Sequence, residues 1–104
     1  MKDSKSLNPR IFTLARILIL TNLVPYKDDG VLFRELQTLN FTDGVLHSNL
    51  RKLRELGYIT EDKVLYDEKE MTQYKITELG LEDWERVKSW LCDFLNCMGS
   101  DKSE

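Results

Sequence analysis

The sequence predicts an α+β fold, mostly helical, in the order helix, helix, helix, strand, strand, helix. Three observations carry that prediction. Leu46, Leu50 and Leu53 recur at spacings of four and three and stop before Gly57, the pattern of a helix with one buried face. After Gly57 the period changes: Tyr58, Ile59, Val64, Leu65 and Tyr66 are strand-formers, and Met71, Gln73 and Lys75 alternate against Thr72, Tyr74 and Ile76. From Glu78 the helical period returns and runs through LEDWERVKSWLCDFLNCM.

The elements follow in order. MKDSKSL (1–7) reads as a polar, flexible leader, and residues 99–104 as a flexible tail, leaving 8–98 as one domain. The first helix is expected to start with Asn8 as its cap and Pro9 in its first turn, to carry Ile11, Leu14, Ala15 and Leu18 at helical spacing, and to end before Pro25. YKDDG (26–30) is a turn, and VLFRELQTL (31–39), apolar at Leu32, Phe33, Leu36 and Leu39, reads as a short second helix. Thr42 can cap a third helix over 43–56, which Gly57 can end in a left-handed conformation. Residues 58–77 form a hairpin around the charged tip DEKE, and the last helix covers 78–98.

Composition narrows the function. A chain of 104 residues with 41% hydrophobic content supports one core and is too short for two ordinary domains. Its most apolar run, IFTLARILIL, contains Arg16 and is half the roughly 20 residues a membrane span needs, so no membrane partner is expected. Cys92 and Cys97 are the only cysteines and no apolar signal segment precedes the fold, which points to a reduced, cytoplasmic setting. Five apart on a helix, they stand about 140° from each other, cannot jointly hold one metal, and read as free, packed thiols. His47, the sole histidine, lacks a nearby second ligand. No nucleophile motif, phosphate-binding glycine loop or zinc spacing is present, so neither catalysis nor a cofactor is indicated.

Net charge is −3, but the charge is divided unevenly along the chain. Residues 1–57 carry nine Lys/Arg against six Asp/Glu, and residues 58–104 carry six against twelve. Arg51, Lys52 and Arg54 sit together in the third helix of the basic half. Helices two and three, joined by a short break, make a helix-turn-helix, and the hairpin behind them is the wing of a winged helix-turn-helix. With Leu46, Leu50 and Leu53 facing the core, Gly44, Ser48, Arg51, Lys52 and Glu55 point outward, flanked by Val45 and His47. Such a face is either a solvated surface or a face for double-stranded DNA.

The stretch TDGVLHSNLRKLRELGYI resembles the T-D-G-x-L-x-x-x-L-x-x-L-x-x-x-G-Y-I recognition-helix segment of small winged-helix transcriptional regulators of the MarR/ArsR/PadR grouping. TQYKITELG is similar to their T-x-Y-x-L-T-x-x-G signature, where the second wing strand meets the last helix. The likeness covers about residues 8–98. Val45, His47 and Asn49 depart from it, and so does the acidic tip Asp67, Glu68, Lys69, Glu70, in place of wings rich in Arg, Lys and Gly.

The resemblance implies a homodimeric regulator of transcription that reads duplex DNA with its third helix in the major groove. Thr42 and the amide end of that helix would hold phosphate; Asp43, Gly44, Val45, His47 and Ser48 would approach bases; Arg51 and Lys52 would anchor the backbone or read guanine. Lys69 is the cation of the wing tip that could join them. The dimer is expected along Leu81, Trp84, Lys88, Leu91, Leu95 and Met98, because a small domain rarely leaves so apolar a helix uncovered. The alternative is a winged helix that binds another protein and no DNA. A small-molecule effector would need a pocket between the core and the last helix.

Overall fold

The computed structural model describes residues 13–99, with side chains through Asn96. The leader, the Asn8 cap, Pro9, Ile11 and the tail beyond Gly99 lie outside the described residues, as do the side chains of Cys97 and Met98.

Helix α1 (Leu14–Leu23) has Thr13 as its cap: the backbone there is extended (ψ 149°) and the hydroxyl accepts the Arg16 amide at 3.2 Å. With Thr13 extended, the helix of the described residues begins at Leu14 and not at the expected Pro9. A 3₁₀ turn, Val24–Tyr26, carries Pro25 and closes the element.

The segment 31–39 corrects the expected single helix. Val31–Leu32 form a short strand, β1, followed by one helical turn, α2 (Phe33–Leu36), and a 3₁₀ turn (Gln37–Leu39) that Asn40 ends at φ 69°. Two residues are too few to show a period, and Val31 and Leu32 go to the strand because the edge of the hairpin offers them backbone partners. The Leu32 amide then donates to Glu35 Oε1 at 2.8 Å, which starts α2.

Helix α3 (Asp43–Glu55) matches its expected span to one residue. Strands β2 (Ile59–Tyr66) and β3 (Lys69–Ile76) follow, and helix α4 (Glu78–Gly99) completes the chain. The sheet is antiparallel in the order β1-β3-β2, with Val31 opposite Tyr74 and Glu61 also opposite Tyr74 on the other side. The tip of the hairpin is two residues, not four: Asp67 (φ 53°) and Glu68 (φ 63°) are both left-handed, as a tight two-residue turn requires, and Lys69 and Glu70 belong to β3.

One core unites these elements. Ile19, Leu20 and Leu23 of α1, Leu46, Leu50 and Leu53 of α3, Ile59, Tyr74 and Ile76 of the sheet, and Val87 of α4 are all buried. Each fully buried Leu or Ile contributes about 1.5–3 kcal/mol relative to an exposed one.

The joint between α3 and α4 is built from the residues that carry the family-like signature. Gly57 at φ 80° ends α3, and the Tyr58 amide turns back to Leu53 O at 2.9 Å. The Thr77 hydroxyl donates to Gly57 O at 2.6 Å and accepts the Gly80 amide at 3.0 Å, capping α4 while gripping the end of α3. A Cβ on Gly80 would stand 2.3 Å from Tyr58 O, so only glycine lets the two backbones meet. The Tyr58 hydroxyl donates to Asp83, which also pairs with Arg86.

Candidate nucleic-acid interface

Thr42 is extended (φ −66°, ψ 157°) and its hydroxyl accepts the Val45 amide at 3.2 Å, so it caps α3 as its residue type predicts. Asp43 is tied back to the preceding turn, accepting from Gln37 Nε2 at 2.9 Å. Gly44 faces open space, with no atom within 4 Å of the place a Cβ would take, so packing does not require glycine there. His47 is exposed and stacks on Phe33 of α2 with ring centroids 4.4 Å apart, which fixes α2 against α3. Ser48 is exposed between His47 and Lys52.

The basic residues divide by direction. Arg51 is exposed in the middle of the face and makes no ion pair with the described residues. Lys52 turns toward α1, 3.7 Å from Glu55, and lines a groove with Arg16. Val45 lies on that same α1 side, where Asn49 Nδ2 donates to its carbonyl and Asn49 Oδ1 accepts from Arg16 Nε at 2.9 Å. Arg54 turns the opposite way, to the wing, and its guanidinium meets Glu61 Oε1 at 2.5 Å.

Strand alternation sorts the wing. Ile59, Glu61, Lys63, Thr72, Tyr74 and Ile76 share the face that turns to the core and α3, and Lys63 Nζ donates across the strands to Thr72 Oγ1 at 2.9 Å. Lys69 belongs to the opposite face with Tyr66, whose ring lies under the Arg34 guanidinium at 5.4 Å. The hairpin therefore does not bring Lys69 to the side on which Arg51 and Arg54 stand. Arg51 and Arg54 are the cations that line the corner between α3 and the wing, and Arg54 was not among the expected site residues. The signal for Arg54 was present in the spacing of His47, Arg51 and Arg54, which places the three in one stripe.

The corner is a groove of about 280 Å³ lined by His47, Leu50, Arg51, Arg54, Glu61 and Tyr74. Burial holds the Tyr74 phenol above its ordinary pKa; the Glu61 charge and its hydrogen bond to Tyr74 push the same way, and Arg54 opposes them. Tyr74 stays protonated at neutral pH and can donate to the carboxylate.

Helix α4 divides along its length. Leu81, Trp84 and Leu91, expected to meet a partner, pack with Val87 on the chain's own core, and Trp84 Nε1 donates to Thr21 Oγ1 of α1 at 3.1 Å. Lys88 is exposed, with its Nζ 5.1 Å from the centroid of the Trp84 ring. Farther along, Trp90 and Phe94 stack at 5.3 Å, while Leu95 is 61% exposed. Cys92 is exposed, not packed as expected. No described helix is long and apolar enough to cross a membrane, and no cluster of three potential metal ligands occurs among the described residues.

A helix-turn-helix followed by a two-stranded wing, with the outer face of its second helix uncovered among the described residues, defines a winged-helix domain. The family model described as winged helix DNA-binding domain matches residues 15–95, and the chain belongs to that family. Among solved structures, the transcriptional regulator homologue protein from Pyrococcus horikoshii OT3 is similar at 29% identity over 89% of each chain, with a TM-score of 0.77. A mutant of MepR from S. aureus, bound to an oligodeoxyribonucleotide, shares the fold at 18% identity, covering 97% of this chain and 76% of its own, with a TM-score of 0.71. No curated protein matches the sequence significantly.

Proposed function

We propose that the chain is a cytoplasmic transcription regulator that binds duplex DNA as a homodimer, with α3 of each copy in the major groove. The observation that carries this reading is the centre of the α3 face. Gly44, His47, Ser48 and Arg51 are exposed there, Gly44 leaves the backbone open to close approach, and Arg51 has no ion-pair partner among the described residues. The likeness to the Pyrococcus horikoshii regulator homologue supports a role in transcription. Arg51→Ala is expected to weaken binding by about 1–3 kcal/mol if Arg51 reads guanine, selectively at that position; if it holds phosphate, the loss is uniform across sequences. Anisotropy titrations against duplexes selected from a random pool, repeated at several salt concentrations, measure this. An unchanged affinity removes Arg51 from the interface.

The dimer is supported by the far end of α4, where Phe94 and Leu95 are exposed beyond Val87, the last buried residue among those described. Leu95→Glu is expected to convert a dimer to a monomer with the melting temperature of the monomer fold preserved. A wild-type chain that scatters light as a monomer at high concentration refutes this arrangement.

The exposed Leu65 and the acidic turn Asp67–Glu68 favour a second reading, a wing that docks on protein. A steep fall of affinity with salt belongs to the DNA reading alone.

A further inference from the structure

We infer that Glu61 sets the strength of DNA binding by occupying Arg54, a guanidinium that the DNA backbone would otherwise take; the inference rests on α3 being the DNA-facing helix. His47, Arg51 and Arg54 fall at i, i+4 and i+7 along α3 and so form one stripe along the groove between helix and wing. A stripe holding two guanidiniums, with the Tyr74 hydroxyl across from it, is a receptor for an anion. The anion present is the chain's own. Glu61 stands opposite Tyr74 in the strand register, where its charge helps raise the Tyr74 pKa, and its Oε1 lies 2.5 Å from Arg54. Tyr74 is 3% exposed and anchored in the core, so the strand position that carries the carboxylate lies beside a fixed neighbour.

The competition is weighted by exposure. The Arg54 and Glu61 side chains are 48% and 30% exposed, so the pair is solvated and weak enough for a phosphate to contest. Arg51 needs no such release. The two arginines thus differ in role: Arg51 is available to every duplex, whereas Arg54 engages the backbone only after leaving Glu61.

The test is a binding cycle on the full chain. Glu61→Gln is expected to tighten binding to all duplexes alike, by about two- to fivefold, the range an exposed ion pair can hold. The log–log salt dependence should become steeper by up to about 0.9, one added phosphate contact. In an Arg54→Gln background the same substitution should give no gain. Glu70→Gln removes an equal charge from the same face of the hairpin without touching Arg54, and should change affinity little. Spectroscopic titration of the tyrosines should show Tyr74 ionising at lower pH in Glu61→Gln, a readout independent of DNA.

An unchanged or weakened affinity in Glu61→Gln, a gain that survives in the Arg54→Gln background, or an equal gain from Glu70→Gln overturns the inference while leaving the DNA reading intact. If neither wild type nor Glu61→Gln binds any duplex, the reading and the inference fall together.

Discussion

Replacing Gly80 with alanine is expected to cost about 3 kcal/mol or more of folding stability, although alanine is the better helix former by about 1 kcal/mol. The steric term decides the sign. The new Cβ would stand 2.3 Å from the Tyr58 carbonyl oxygen and 2.9 Å from the Ile76 side chain, and the first of these is backbone held by the Thr77 amide. It cannot move without breaking the joint between α3 and α4. Gly44→Ala is the matched control. It adds the same methyl to a helix, in open space, and is expected to be neutral or to stabilise by up to about 1 kcal/mol. Urea unfolding of both variants measures the difference, and equal midpoints would refute the assigned role of Gly80.

Leu46→Ala is expected to cost about 2–5 kcal/mol, because Leu46 is fully buried at the centre of the core and the cavity left behind adds to the lost burial. Its neighbour Val45 is 41% exposed, and Val45→Ala should stay within about 0.5 kcal/mol. Adjacent positions with opposite outcomes fix the rotation of α3 about its axis. That rotation determines which residues face solvent, so the pair tests the geometry of the candidate interface with no DNA present. A comparable loss at both sites would mean that α3 is turned from its described orientation.

Much of this was readable in the sequence because its residues act locally. Thr42 caps, Gly57 adopts a positive φ, and the leucine spacing of α3 selects one buried face, so each signal lies within a few residues of its effect. What escaped depended on distant partners. Strand β1 exists because Val31 and Leu32 meet Tyr74 and Gln73, more than forty positions on. The burial of Leu81, Trp84 and Leu91 depends on how α4 crosses α1, and an apolar stripe alone does not say whether the chain's own core or a second copy will cover it. The sequence grouped Arg54 with Arg51 and Lys52 in α3, but its pairing with Glu61 and the exclusion of Lys69 from that side follow from strand register.

The Thr77 hydroxyl has a consequence for motion. Because it donates to Gly57, which ends α3, and accepts from the first turn of α4, and because Gly80 leaves no gap beside Tyr58, the joint has no loose rotor in which to absorb a twist. The two helices behave as the arms of one rigid bracket. In a dimer hinged along α4, a few degrees of rocking at the hinge would reach α3 undamped, opening or closing the distance between the two reading heads against the fixed pitch of the double helix.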